Sequence, residues 1–90
     1  MRKVVQAGEH VDVQLFNRWN AGVMVRPDFG ATALVEFTFS SQEDIEADTA
    51  IWDTWAAGQV TKVWSDVFDA QVSAVRLSSE GAASTFEVRG

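Results

Sequence analysis

The sequence predicts an all-β fold, and within that class a small antiparallel β-sandwich of jelly-roll type with about six to eight strands. Apolar residues recur at every second position over most of the chain, which is the period of a half-buried strand. Turn-forming residues recur at intervals of roughly eight to fourteen residues, a spacing typical of sandwiches and small barrels. The 90 residues suffice for one domain, so we expect residues 1–90 to form a single sandwich.

Short alternating segments make up the predicted strands, and β-branched and aromatic side chains dominate them, as half-buried pleated surfaces prefer. The clearest strand is residues 33–39, in which every second residue from Ala33 to Phe39 is apolar. The other predicted strands are residues 11–15, 23–25, 59–67, 72–77 and 85–89.

Turn residues separate these segments. Residues 17–22 divide the first two predicted strands. At the next turn, Pro27 fixes the backbone φ angle that the second turn position requires, and Gly30 tolerates a positive φ. Both positions therefore support a reversal of the chain between residues 25 and 33.

The last turn, residues 79–82, predicts a terminal hairpin between residues 72–78 and 84–89. Arg76 lies inside the apolar part of the first of these strands. Opposite charges on neighbouring strands stabilise a sheet, so Glu87 on the second strand is one candidate partner for Arg76.

The segment 40–58 departs from the strand pattern. Ser40 with Glu43, or Ser41 with Asp44, resembles the capping box that begins a helix. Aspartate and threonine are poor residues for a helix interior, and two Asp-Thr pairs follow. We therefore predict an acidic loop with one short helical turn near residues 41–56, rather than a continuous helix.

Composition excludes several classes of function. The chain has no cysteine, no tyrosine and one histidine, His10, so disulfides, thiolate metal sites and most acid–base or nucleophilic catalysis are not expected. Thirteen acidic and seven basic residues give a net charge of −6, and only Arg2 and Lys3 are adjacent cations. Nucleic acid and membranes are therefore not expected partners, and we predict a protein that is not an enzyme and needs no cofactor.

Three acidic residues raise the question of a metal site. Asp44, Glu46 and Asp48 alternate, as carboxylates do in some calcium loops. Thr49, however, occupies the sixth position where a calcium loop has glycine, and Trp55 occupies the twelfth position in place of glutamate. We predict a solvated acidic surface without a metal, and a solvent-facing or structural role for His10.

Tryptophan is in excess, with four residues in a chain of 90. One or two tryptophans suffice for a small core, and tryptophan is enriched where proteins bind one another. The predicted strand 59–67 also carries apolar residues on both faces, a pattern that requires cover on both sides. We therefore predict contacts with other subunits, and stacking on a carbohydrate is the alternative use of an exposed tryptophan. The candidate contact residues are Trp19, Trp52, Trp55 and Trp64.

Residues 50–60 follow the pattern A-x-W-x-x-W-x-x-G-x-V, and two strand patterns around a glycine turn come after them. With this pattern the second half of the chain resembles small bacteriophage virion proteins. Gln71 stands where these proteins commonly have proline, and Ser73 and Val75 replace threonine and isoleucine. The likeness extends over residues 31–90.

This resemblance implies a virion structural protein, and we expect a capsid decoration (cement) protein that stabilises the head through protein–protein contacts. The implied partners are copies of itself, with a trimer expected, and the phage major capsid protein. The implied location is the capsid surface, after assembly in the host cytoplasm. A tail, neck or fibre component and a carbohydrate-binding receptor module are the alternatives.

Overall fold

The computed structural model describes residues 1–15, 21–68 and 71–89, and the strands in these ranges form two four-stranded antiparallel sheets. Sheet A has the strand order β1-β8-β3-β6, and sheet B has the order β2-β7-β4-β5. The elements are β1 (Arg2–Val5), β2 (Glu9–Gln14), β3 (Ala21–Pro27), β4 (Thr32–Thr38), α1 (Gln42–Glu46), β5 (Asp53–Thr54), β6 (Trp64–Phe68), β7 (Ala74–Glu80) and β8 (Ser84–Arg89).

The strand pairs have the arrangement of a jelly roll. The first strand pairs with the eighth, the second with the seventh, the third with the sixth and the fourth with the fifth. Two further pairings, β3 with β8 and β4 with β7, join these four ribbons into the two sheets. The chain therefore follows one long hairpin, folded between β4 and β5 and rolled into a sandwich, and the predicted fold class is confirmed.

The inward residues of both sheets form one apolar core. Val35, Leu77 and Phe86 are inaccessible to solvent. Burial of apolar surface of this kind is the main favourable contribution to folding. The alternation predicted for residues 33–39 holds as far as Phe37, which packs against the core; Thr38, the last residue of β4, is buried, and Phe39 beyond it is exposed.

The predicted terminal hairpin is wrong. The two segments do form strands, but β7 belongs to sheet B and β8 to sheet A, so the turn between them crosses from one sheet to the other. Gly81 makes this turn with a φ of 80°. The hydroxyls of Ser79 and Ser84, both buried, lie 2.7 Å apart and replace the hydrogen bonds of a hairpin end.

Two other strand predictions need correction, and one connection cannot be compared. The strand predicted at 59–67 begins only at Trp64, because residues 59–63 form a loop that touches sheet B through a bridge between Val60 and Ala33. Strand β1 was not predicted, because the short sequence Arg2–Val5 shows no alternation of polar and apolar residues. The structure leaves its first three residues exposed. Most of the predicted connection at 17–22 lies outside the described residues.

The turn predicted at Pro27 and Gly30 is present and rigid. The amide of Ala31 donates to the carbonyl of Asp28, and the amide of Asp28 donates to the carbonyl of Ala83 in the β7–β8 turn. A Cβ added to Gly81 would lie 2.5 Å from the carbonyl oxygen of Gly30, so the two turns touch through their backbones.

The predicted helical turn is α1, five residues long. The hydroxyl of Ser41 accepts a hydrogen bond from the amide of Asp44, which confirms the second of the two proposed caps. The loop after α1 is held to the end of β4, because Thr38 donates its hydroxyl to the carbonyl of Ile51 and the amide of Ile51 donates to the hydroxyl of Ser40. Among the described residues no helix is long and apolar enough to cross a membrane.

Candidate functional site

Trp55 is a core residue. Its side chain is 2% exposed, and its indole Nε1 donates to the carbonyl oxygen of Gly58 at 2.7 Å. Its backbone amide also donates to the carbonyl of Val35 in β4. A side chain in this position offers no surface to a partner, so Trp55 closes the core beside β4 and the proposals below do not include it.

Trp52 covers the outer face of sheet B. Its ring lies over the guanidinium of Arg76, with 4.2 Å between the guanidinium carbon and the ring centroid. The side chain is half-buried in this contact. Trp52 is thus engaged within its own chain, and the loop that carries it is fixed against the sheet.

Beneath Trp52, Arg76 forms a two-pronged ion pair with Asp12. The distances are 2.8 Å from Nε to Oδ1 and 3.1 Å from Nη2 to Oδ2. The strand register places Asp12, Arg76, Glu36 and Thr54 in one row across sheet B. The partner predicted for Arg76, Glu87, belongs to the other sheet and pairs with Arg2 at 3.5 Å, so that prediction is wrong.

The charged neighbours of Arg76 raise its pKa. The hydrogen bond with Asp12 contributes most, burial opposes it, and the negative charges of Asp12, Glu36 and Asp48 add to the rise. A group whose pKa is higher in the folded state stabilises the fold below its unfolded pKa, and this contribution is lost as the pH rises through the folded value. For an arginine that range is strongly alkaline, so this contribution is constant at neutral pH.

Trp64 is an exposed candidate contact residue. It begins β6, an edge strand of sheet A, and 45% of its surface is accessible. Its neighbour Val63 is 61% exposed, so the start of this edge strand is apolar and open. The fourth candidate, Trp19, lies outside the described residues.

The outer face of sheet A is apolar at its centre and basic around it, and we call it the Met24 face. Met24, Val67 and Val4 are each about half exposed on it. The register sets Met24 beside Glu87, which pairs with Arg2. The whole face consists of Arg2, Val4, Gly22, Met24, Arg26, Val63, Ser65, Val67, Thr85, Glu87 and Arg89.

A shallow depression lies in the Met24 face, because Gly22, which lies between Arg89 and Val67 in one row of the sheet, has no side chain. Its volume is about 500 Å³, and Met24 and Val67 form part of its apolar wall. The three arginines of the face outnumber two acids, Glu87 on the face and Asp66 in the lining of the depression, although the whole chain carries −6. The face thus differs in charge from the rest of the protein.

A second apolar surface lies where β4 ends, and we call it the Phe39 end; it consists of Phe39, Ile51 and Asp53. Phe39 is 63% exposed and Ile51 is 81% exposed, and together with Asp53 they line a groove of about 450 Å³. Phe37 joins this surface to the core, because its ring packs against Phe39 at 5.8 Å and against Phe68 at 5.1 Å between centroids.

The Phe39 end is surrounded by acidic residues. Helix α1 and the turn after it follow directly, and the stretch 27–61 contains no lysine or arginine. Five of the seven acidic residues in this stretch follow Phe39, whereas Asp28 lies in the turn at the opposite end of the sandwich and Glu36 lies beside Arg76 on sheet B. The five are Glu43, Asp44, Glu46, Asp48 and Asp53. The negative charge of the protein is therefore concentrated away from the Met24 face.

The three acids considered for a metal serve local structure or remain exposed. The carboxylate of Asp44 accepts hydrogen bonds from the hydroxyls of Ser41 and Thr49. The carboxylate of Glu46 accepts one from the side-chain amide of Gln42. In residues 1–15, 21–68 and 71–89, no three potential metal ligands lie together. His10 is exposed on β2, so it faces solvent.

Sequence reasoning missed the Met24 face and the Phe39 end. The alternation of Val23, Met24 and Val25 does indicate that Met24 points away from the two valines, which are buried. Phe39 follows the alternation of β4 and looked like a core residue, because sequence does not show that the strand ends at Thr38. We predicted from the sequence that tryptophans form the contacts with other subunits, whereas the larger exposed surfaces consist of methionine, valine, isoleucine and phenylalanine.

Comparisons of the chain with protein-family models, curated proteins and solved structures gave no significant match. A functional argument therefore depends on the surfaces described above and on the sequence pattern of residues 31–90.

Proposed function

We propose that this protein is a non-enzymatic structural module of a bacteriophage virion, and that it decorates the capsid surface as a cement protein. It binds the major capsid protein and copies of itself, as a trimer, and stabilises the head by protein–protein contact. The observation that carries this proposal is the amount of apolar surface that the folded chain leaves open. The exposed large apolar side chains are Met1, Val4, Met24, Phe29, Phe39, Ile51, Val63, Trp64 and Val67.

Contiguous exposed apolar patches mark sites where other proteins bind. Two groups of these residues lie together, Met24 with Val67 and Phe39 with Ile51. The core is complete without these residues: the inward faces of both sheets are buried, and no buried side-chain polar atom in the described residues lacks a hydrogen-bond partner. The open apolar residues are therefore available for contacts outside the chain.

The fold supports the proposal by analogy. Jelly-roll sandwiches are common in viral capsid proteins, although the same architecture also occurs in lectins and cupins. The sequence pattern of residues 31–90 resembles virion structural proteins and favours the first of these uses. A lectin would need an exposed aromatic platform with polar neighbours, whereas the exposed apolar residues here are mostly aliphatic or isolated.

We assign the shell contact to Phe29. Its side chain is fully exposed at the tip of the β3–β4 turn, at the end of the sandwich opposite Phe39. The turn is held by the hydrogen bond from the amide of Asp28 to Ala83 and by the close approach of Gly81 to Gly30. A rigid aromatic loses little conformational entropy on binding, so Phe29 is suited to fill a pocket between capsid subunits.

Mass spectrometry of purified virions, with copy number, tests the proposal. A cement protein is expected at roughly hundreds of copies per particle, in a fixed ratio to the major capsid protein, because it follows the symmetry of the shell. About six or twelve copies would indicate a neck or tail component and would contradict the capsid assignment. Absence from the virion would contradict the whole proposal.

Replacing Phe29 tests the assigned contact. We expect F29S to reduce occupancy of shells from a deletion phage about tenfold or more, since an aromatic anchor that fills a pocket is a binding hot spot. The conservative variant F29L is the control and should retain most of the binding. Neither variant should change the unfolding midpoint, because the side chain has no contacts to lose; equal binding by F29S and wild type would exclude Phe29 as the contact.

A further inference from the structure

We propose that copies of this protein associate head to tail, with the Phe39 end of one copy seated on the Met24 face of the next. The inference rests on the proposed function only in that the module assembles with itself. It adds the two surfaces that meet and the kind of symmetry that follows from them.

The first argument is that each surface has an apolar centre. Met24 and Val67 line the depression in the Met24 face of one copy, and Phe39 and Ile51 are exposed at the Phe39 end of the copy that would bind there. The absence of a side chain at Gly22 leaves the depression open to a projecting side chain. Burial of both centres against each other removes from water the apolar groups that the single chain leaves exposed.

The second argument is charge. Arg89 lines the depression and Arg26 lies beyond Met24 on the same face, whereas the Phe39 end carries Asp53 and adjoins the acidic helix α1. Opposite charges around two apolar centres speed the encounter of the two surfaces and fix their orientation. Two Met24 faces placed against each other would instead oppose arginine to arginine, so the charges disfavour a symmetric dimer through this face.

The third argument is position. The Met24 face is the outer side of sheet A, and the Phe39 end belongs to the end of β4 in sheet B. One molecule therefore presents both surfaces at once and can bind a copy at each of them. An interface between two different surfaces is heterologous, and repetition closes it into a ring, for which a trimer is the expected case here, or extends it as a filament.

Charge-reversed variants of the full chain test this inference, with size-exclusion chromatography and light scattering up to about 100 μM. We expect R26E/R89E to weaken self-association about a hundredfold, and E43K/D53K to do the same, because each opposes like charges across the interface. The control E9K/E80K changes the charge as much as E43K/D53K does, at exposed positions near the Phe29 end, and should assemble as the wild type does. Circular dichroism and the unfolding midpoint establish that each variant is folded.

Mixing and recombination of the variants make the test specific for a head-to-tail contact. In an equimolar mixture of R26E/R89E and E43K/D53K, every contact between unlike variants joins opposite charges and every contact between like variants joins like charges, so association should return with the two variants alternating in equal numbers. All four substitutions in one chain keep the net charge at −6 and restore opposite charges with the signs exchanged, so self-association should return.

Three outcomes overturn the inference: a wild-type monomer at 100 μM, an oligomer that neither double variant weakens, or a fourfold variant that remains monomeric while both double variants are folded. None of these outcomes concerns virion occupancy, which is measured separately. A monomer found at hundreds of copies in virions would refute the head-to-tail contact and the trimer but leave the capsid assignment intact, and a head-to-tail oligomer absent from virions would refute the capsid assignment alone.

Discussion

The two outer faces of the sandwich differ in how far their side chains are covered by contacts within the same chain. On sheet B, Arg76 is paired with Asp12 and covered by Trp52, so the face is completed by its own chain. On sheet A, Met24 and Val67 remain about half exposed, and the single ion pair described there, Arg2 with Glu87, is long and solvated. Stability of the monomer is therefore expected to depend on the outer face of sheet B, and association on the outer face of sheet A.

Truncation of a tryptophan on each side gives the largest expected contrast. We expect W52A to lower the free energy of unfolding by about 3 kcal/mol, because it removes packing over sheet B and the cation–π contact with Arg76. W64A should cost about 1 kcal/mol, since Trp64 is already 45% exposed. Urea unfolding of both variants measures the two values, and equal losses would remove the distinction between the faces.

The two ion pairs offer a second contrast. We expect D12A to cost about 2 kcal/mol, because the Asp12 and Arg76 side chains are only 28% and 21% exposed and form two hydrogen bonds. E87A should cost about 0.5 kcal/mol or less, since its pair with Arg2 is solvent-exposed. In 1 M salt the loss of unfolding free energy for E87A should be smaller still, because salt screens an exposed ion pair. A larger loss for E87A than for D12A would contradict this account.

The smallest expected effect is on the open face itself. V67T preserves the shape and strand preference of a half-exposed valine, so the free energy of unfolding should change by less than about 0.5 kcal/mol. The matched core variant V35T buries a hydroxyl in an apolar site and should cost about 2 kcal/mol. If V67T were as costly as V35T, residue 67 would support the monomer rather than a contact.

The sequence could predict the elements that depend on nearby residues, namely strands with alternating polar and apolar residues and a helix with a capping residue. Strand β4 and the cap at Ser41 depend on neighbours within a few residues, and both were found. The strands β7 and β8 were also found, but their arrangement was not, because a glycine turn looks the same whether it closes a hairpin or crosses between sheets. The two strands each pair with distant partners, and one sequence contains no direct record of such pairings.

The same limit applies to the candidate site. Residue type indicated that tryptophans would be buried or in contact, yet the choice between Trp55 in the core and Trp64 at an edge depends on where β6 begins. Arg76 was recognised as unusual in an apolar strand, and its partner Asp12 is 64 positions away in sequence. Phe39 is exposed because β4 ends one residue before it. The alternation of apolar residues continues through Phe39, so it does not indicate where the strand ends.

The pairing of β1 with β8 has a consequence for synthesis of the protein. Because residues 2–5 lie beside residues 84–87, β1 has no strand to pair with in sheet A until β8 has been made. Topologies dominated by such distant pairings fold slowly, in milliseconds to seconds rather than microseconds. Sheet A is therefore complete only after β8 has been made, and the Met24 face, which spans β1, β3, β6 and β8, cannot bind a neighbouring copy before then. Order of assembly is thus built into the topology: each copy completes itself before it can join another.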